Sequence, residues 1–333
     1  MRIAIVTPAP PDSRYGNRIT ALRWAKILRG IGNRVSILET YDGKPYDLLV
    51  ALHARKSHPS IINYRRLNPA APIIVALTGT DLYRDIRTNH VARESLDIAT
   101  RIVVLQPKAI EQLRPSLREK TRVIHQSVEG RPVKSDNRGG KSAETKASKS
   151  NERSGSPFDV CVIGHLRAVK DPFRAAMAAR FLSDSSRIRV VQVGGAMTAG
   201  MASRARKEMK VNKRYQWVGE QSRARVRRIL EKSSLCVLSS RIEGGANVLS
   251  EAIVASVPIL ASRIDGNVGI LGADYPGYFE VGDTKELTEF LTRAETCSEY
   301  FADLRARVRD LAPRFNLKRE EQAWTDLIGE FST

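Results

Sequence analysis

The sequence predicts an α/β protein built from two doubly wound parallel sheets that face each other across a cleft. Three observations predict it. Short apolar runs alternate with helical stretches in both halves, as parallel strands joined by crossover helices do. The alternation collapses between residues 129 and 156 into Lys, Ser, Gly, Asn and Glu, then resumes. A chain of 333 residues is also too long for one ordinary core and suits two domains of typical size. The expected boundaries are 1–128, a flexible basic linker at 129–156, a second half at 157–312, and a C-terminal helix at 313–333 placed to pack back on the first half.

In the first half, Ile3 to Val6 reads as a strand that ends in the loop Thr7 to Tyr15. Gly16-Asn17-Arg18 opens a helix with Ala21, Leu22, Ala25 and Leu28 as its apolar stripe, and Gly30 and Gly32 stop it. Val35 to Leu38 and Asp47 to Leu52 are strands, and His58 to Leu67 is helical. Pro72 to Leu77 is a buried strand ending in Thr78-Gly79-Thr80-Asp81. A helix around His90 to Ile98, a strand Ile102 to Leu105, a helix from Pro107 and a strand Arg122 to Ile124 complete the half. Ligands of such sheets bind beyond the carboxyl ends of the strands, which puts Gly16, Asn17, Thr80 and Asp81 on one rim. Asp81 is expected either to orient an acceptor or sugar hydroxyl, or to cap a helix. In the linker, Gly139-Gly140-Lys141-Ser142 resembles the end of a phosphate loop. Ser135 stands where its first Gly belongs and no strand precedes it, so that reading is rejected.

In the second half, Asp159 to Ile163 is a strand followed by the loop Gly164 to Asp171, and Pro172 suits the first turn of a helix running to Leu182. Arg189 to Val193 ends in Gly194-Gly195, and Tyr215 to Val218 ends in Gly219-Glu220, so Gly219 joins the rim. A helix from Arg223 buries Val226, Ile229 and Leu230 and turns its arginines outward. Leu235 to Leu238 is a strand, and a helix runs from about Val248 to Ala255. The strand Ile259 to Ala261, a loop Ile264 to Gly269, a strand Gly277 to Val281 and helices at Thr284 to Val308 and Arg319 to Ile328 follow.

The chemistry is concentrated where Leu238 runs on towards Val248. Gly244, Gly245, Ala246, Asn247 and Val248 combine two glycines with an Asn suited to capping, which leaves amides exposed at a helix N-terminus and makes an anion site. Glu243 and Glu251 flank it with seven residues between them. A carboxylate repels phosphate, so Glu251 is read as accepting hydrogen bonds from a neighbouring diol such as a ribose. Together these features suggest a nucleotide diphosphate attached to a sugar. Strand-Gly-helix units are common, and acidic residues favour first turns anyway, so this stretch needs support from elsewhere. Arg167 and Lys170 supply it, because cations placed before a helix start oppose its dipole unless an anion comes between them. Fixed cations aimed at a departing phosphate stabilise its developing charge. No Asp-x-Asp occurs, so assistance by cations and amides is expected rather than by a metal, and no cofactor is expected. His165 and His125 read more readily as hydrogen-bonded scaffold than as catalysts.

Bulk properties narrow the partners. An apolar fraction of 42% is ample for globular cores, and no run of eighteen apolar residues suggests a membrane span. The N-terminal apolar run is too short for a signal peptide, and Cys161, Cys236 and Cys297 lie too far apart for a disulfide frame or a metal site, so a reducing cytoplasm is expected. A net charge of +19 fits nucleic acid, an anionic membrane surface or small polyanions. Few aromatics interleave with the basic runs and no nucleic-acid motif appears, so small polyanions are preferred.

Glu243-x7-Glu251, the loop Gly164 to Lys170 and the paired halves resemble the GT-B glycosyltransferases of the large retaining family 4 type. The resemblance implies two Rossmann-like domains, Glu251 on the ribose, Glu243 near the transferred sugar, and an Arg/Lys pair, here Arg167 and Lys170, on the diphosphate. His165 stands where that family has Arg, and Gly16-Asn17 where it has Gly-Gly. More narrowly, Thr7-Pro8-Ala9-Pro10-Pro11, Gly16-Asn17-Arg18, Leu77 to Asp81, Gly164 to Arg167 and Glu243 to Asn247 resemble the selenosugar synthases of selenoneine biosynthesis. That implies a UDP-sugar donor such as UDP-N-acetylglucosamine, a selenophosphate acceptor and later loss of phosphate. A potent nucleophile of this kind needs little general-base help. The alternatives are a GT-B transferase with a carbohydrate, lipid or other small acceptor, and a binding protein without turnover.

Overall fold

The structure is a computed structural model that describes residues 1–13, 15–128 and 156–331. The expected linker, apart from Ser156, lies outside the described residues, as does the Gly139 to Ser142 segment.

In the first half β1 (Arg2–Val6), β2 (Arg34–Leu38), β3 (Leu48–Leu52), β4 (Ile73–Leu77), β5 (Arg101–Val104) and β6 (Thr121–Val123) form one parallel sheet in the order β2-β1-β3-β4-β5-β6. Its helices are α1 (Gly16–Gly30), α2 (His58–Leu67), α3 (Ile86–Thr88), α4 (His90–Ile98) and α5 (Pro115–Arg118). The second sheet holds β7 (Phe158–Ile163), β8 (Ile188–Val193), β9 (Tyr215–Trp217), β10 (Leu235–Leu238), β11 (Ile259–Ser262) and β12 (Tyr278–Phe279). It is also parallel, in the order β12-β11-β10-β7-β8-β9. Around it lie α6 (Arg174–Ala179), α7 (Ala199–Val211), α8 (Arg223–Lys232), α9 (Asn247–Val254), α10 (Asp265–Leu271), α11 (Thr284–Thr296) and α12 (Ser298–Leu311). A last helix, α13 (Leu317–Gly329), returns to the first half.

The continuous apolar runs of β3 and β4 are buried at every residue, as strands covered on both faces must be. The strand order reverses between β7 and β10, so the loops that follow these two strands open side by side at a switch point.

Several elements differ from expectation: Pro172 lies before α6 rather than in its first turn, the helix from Pro107 is a 3₁₀ turn over Pro107–Gln112, and in α8 Leu230 is buried while Val226 and Ile229 are only half-buried. Leu22 is 49% exposed, because it lies about 100° round α1 from Ala21. The stripe is completed instead by the fully buried Trp24. The polar α7 buries only Ala205 and Glu208, so no apolar period announces it. The expected helix Thr284 to Val308 is broken at Cys297, whose φ of −110° and ψ of 103° are extended. Phe290 then stacks on Tyr300 with ring centres 6.1 Å apart, so α12 folds back on α11. The stretch Ile264 to Gly269, expected as a loop, enters α10. Its Gly266 and Gly269 are there for contact: a Cβ would run into the Glu243 carbonyl at one and the Gln106 side chain at the other.

The halves are tied together twice. On α13, the Glu320 carboxylate is 2% exposed and accepts from Trp24 Nε1 at 2.9 Å, from Ser127 N at 2.7 Å and from the Ser127 hydroxyl. Arg23 Nε stands 3.7 Å away, and the Trp24 and Trp324 rings meet edge to face at 4.9 Å. At the cleft, a Cβ on Gly244 would sit 2.5 Å from the Thr78 carbonyl carbon, and one on Gly245 would sit 2.6 Å from Leu105 Cβ. Gln112 Nε2 donates to Asp265 Oδ2 at 2.8 Å beside them.

Removing the Glu320 carboxylate strands two buried N–H donors and a guanidinium, so Glu320→Ala should cost about 3–5 kcal/mol in a denaturant titration. Gly244→Ala cannot be housed against the Thr78 backbone unless the halves part. Its radius of gyration in small-angle scattering should exceed the wild-type value. Gly30→Ala, where a Cβ meets nothing within 4 Å, should match wild type.

Candidate active site

The second half supplies a rim of glycines. β7, β8 and β9 end in Gly164, Gly194 and Gly219, with φ of 157°, 142° and 69°. Gly164 N donates to Val193 O and Gly194 N to Gly219 O, both at 2.8 Å. Gly194 lies so close to the Gly164 carbonyl that no side chain fits there. His165 Nδ1 accepts from Gly195 N at 3.2 Å, so one ring nitrogen is committed to the loop. Its ring meets Tyr15 of the first half edge to face at 6.0 Å. Tyr15 precedes Gly16 and Asn17, so the start of α1 stands opposite the Gly164-His165 loop.

The loop after β10 is fastened to the Lys170 turn. Ser239 Oγ donates to Asp171 O, and Arg241 N to Val169 O, each at 2.8 Å. This brings Lys170 Nζ into an ion pair with Glu243, whose Oε1 also accepts from Ser240 Oγ at 2.5 Å. The two side chains are 20% and 10% exposed, so each charge depends on the other. Beneath them is a cavity of about 20 Å³, lined by Gly164, Lys170, Gln192, Ser240, Glu243 and Val248, with room for one water. Gln192 Oε1 is buried there without a hydrogen-bond partner among the described residues.

Arg167 lies one turn before Lys170, and its carbonyl accepts from Lys170 N at 3.0 Å. It is exposed at the start of the turn Ala168–Lys170, and its side chain makes no hydrogen bond or ion pair among the described residues.

Asn247 is not the cap of α9. The N-cap is Ala246, with φ −71° and ψ 119° and no side-chain bond, and Asn247 is the first helical residue. Its Oδ1 accepts from Arg23 of α1 at 2.8 Å, while the same guanidinium donates to Ser127 O at 2.9 Å. Among the described residues nothing accepts from the amides of Gly245, Ala246, Asn247 or Val248, which are the orphan donors of a helix start. Gly245, Asn247 and Val248 keep part of their surface exposed, whereas Gly244 is buried. One turn further on, burial pushes the Glu251 carboxyl above its ordinary value, against the pull of Arg223, Arg23 and Arg227.

Asp81 corrects the sequence reading. It is fully buried, and its carboxylate accepts from Gly79 N at 2.9 Å, Thr78 N at 3.1 Å and Ala54 N at 3.2 Å. It therefore braces the loop and does not face an acceptor. Thr80 beside it remains partly exposed. His125 packs on Phe315 at 5.7 Å, and burial and Arg314 hold its pKa below the ordinary value.

Two residues were missed from sequence. Arg23 is one of many arginines and carries no local signal. His53 follows the buried β3 directly onto the rim, and that position was the clue: its φ is 76° and its ring lies against Thr80.

The chain superposes on Anabaena HepE in complex with UDP-glucose with a TM-score of 0.73 at 14% identity, over 99% of this chain and 100% of that one. Sucrose-phosphate synthase from Thermosynechococcus elongatus gives 0.71 at 17% identity, over 99% and 98%. S. aureus TarM, in a complex with fondaparinux, α-GlcNAc-glycerol and UDP, gives 0.63 at 12% identity, over 95% of this chain and 59% of that one. Identities this low establish the fold, two Rossmann-like halves in the GT-B arrangement. No curated protein matches the sequence significantly. The family model for glycosyl transferases group 1 matches residues 143–311. With half its length matched and both sheets in place, the chain belongs to the group 1 glycosyl transferases.

Proposed function

We propose that this transferase is a selenosugar synthase, moving a sugar such as N-acetylglucosamine from its UDP donor to selenophosphate. The observation that carries the donor half is the convergence of Lys170 and Glu243 beside the unpartnered amides at the start of α9. In this reading the diphosphate settles against the amides of Gly245 to Val248, with Gly164 and Gly219 giving its nucleotide close access to the backbone. Lys170 turns from Glu243 to the phosphate, and the released Glu243 accepts from a sugar hydroxyl. Glu251 takes the ribose diol. Selenium attacks the anomeric carbon, the C–O bond to the diphosphate breaks, and UDP leaves with the electron pair. Water then cleaves the Se–P bond, releasing phosphate and a selenol sugar. Cation and amides stabilise the leaving charge without a metal. The UDP and UDP-glucose complexes of HepE support a UDP donor in this fold. The acceptor rests on the motif resemblance around Thr78 to Asp81 and Glu243 to Asn247 and on the +19 charge.

A second reading keeps the donor and replaces selenophosphate with a carbohydrate or glycerol-type acceptor, as the α-GlcNAc-glycerol in the TarM complex suggests. Mass detection decides between them. UDP-N-acetylglucosamine and selenophosphate, incubated with enzyme in EDTA, should yield free UDP and a selenium-bearing sugar. UDP release only with a hydroxyl acceptor would favour the second reading. Lys170→Ala should lower kcat about a hundredfold or more.

Glu251 must be ionised to accept both ribose hydroxyls, and burial raises its pKa. UDP affinity should therefore weaken as pH falls through a value above the ordinary 4.5, and Glu251→Gln should be weaker at neutral pH and lose that dependence in calorimetry.

A further inference from the structure

The rim of the first half carries a second arrangement. His53 has φ 76°, a strained left-handed conformation for a residue with a side chain, kept where the surroundings demand it. It is 4% exposed. Asp81–Asp85, on the neighbouring loop, is wound as a π turn, a distortion frequent at functional sites. Between the two lies Thr80, whose Oγ1 is 3.4 Å from His53 Nε2.

The surroundings choose the tautomer. Lys56 N–H points at Nδ1 from 3.4 Å, which makes Nδ1 the acceptor and leaves the ring proton on Nε2. Asp81 Oδ2 is 4.0 Å from Nδ1 and Asp85 Oδ2 is 3.8 Å from Nε2, but both carboxylates are engaged, Asp81 by three backbone amides and Asp85 by Arg55 Nε at 2.9 Å. Burial, with Lys56 and Arg55, holds the ring neutral against the pull of Asp81 and Asp85. Nε2–H then donates to the Thr80 oxygen, and the Thr80 hydroxyl proton is turned away from the ring. Thr80 keeps part of its surface open, next to the place where Gly79 meets Gly244. One strand away, at the end of β1, the Thr7 hydroxyl is buried without a partner among the described residues.

We propose that His53 is a positioning residue that fixes the Thr80 hydroxyl as a hydrogen-bond donor to an oxygen of the anionic acceptor group. This rests on the glycosyl-transfer reading of the cleft. The 3.4 Å separation is long for such a bond and tightens when the acceptor arrives.

The test uses two substitutions and their combination in the full chain, with selenophosphate as the probe. Thr80→Val keeps the shape and removes the hydroxyl. His53→Asn tolerates positive φ but is too short to reach Thr80. Each should raise acceptor KM about tenfold and leave the UDP Kd within about twofold, and the double variant should be no worse than either single one. Unchanged acceptor KM, or single effects that multiply to about a hundredfold, would overturn the proposal. ¹⁵N NMR of the wild-type ring should show the Nε2–H tautomer, with a resonance that shifts in Thr80→Val. An Nδ1–H tautomer overturns the proposal even where transfer proceeds. Should His53→Asn fail to fold, Thr80→Val and the tautomer decide. A wild-type chain that binds no UDP would instead sink the transfer reading, whichever tautomer the ring adopts.

Discussion

The site is held together by one ion pair between residues 73 positions apart, Lys170 and Glu243. Neither charge is well solvated, so each loop is restrained by the other, and the restraint puts a cation next to a helix start that already favours anions. Ser239, Ser240 and Arg241 close the same joint from the backbone side. The strand reversal between β7 and β10 explains why two such distant segments can meet, since it leaves the two loops side by side with no strand between them.

A second constraint is the absence of side chains where the halves touch. Gly244, Gly245 and Gly269 each lie where a Cβ would strike the opposite half. At Gly244 the halves approach backbone to backbone, while at Gly245 and Gly269 the Leu105 and Gln106 side chains fill the space a Cβ would take, which makes the separation of the halves a property of sequence. Arg23 adds a polar strut across the same gap, from α1 to Asn247 and Ser127. One helix of the first half thus touches α9, the end of the described first half and, through Glu320, the returning α13.

Much of this was legible in the sequence. Buried strands such as Ile73 to Leu77 announce themselves as unbroken apolar runs, and Glycine-rich strand ends mark the rim. The motif around Glu243 to Glu251 located the helix start, and the loop carrying Lys170 lies beside it as expected, but the ion pair between Lys170 and Glu243 was not foreseen. What escaped was whatever depends on a partner distant in sequence. Asp81 looked like a rim carboxylate because nothing local says that Ala54 N–H will reach it. Gly266 and Gly269 read as loop residues because their helical use is explained only by Glu243 and Gln106. The α7 helix has too little buried surface to show a period, and the break at Cys297 interrupts a pattern that is helical on either side.

The return of α13 has a consequence for how the chain reaches its native form. Trp324, Leu327 and Ile328 complete the very core that contains Trp24 and Leu28, near the other end of the polypeptide. Without α13, the core between α1 and the first sheet would lack these three side chains, and Trp24 would lose its edge-to-face partner Trp324. The first half is therefore completed by a helix that the chain supplies only after the whole second half.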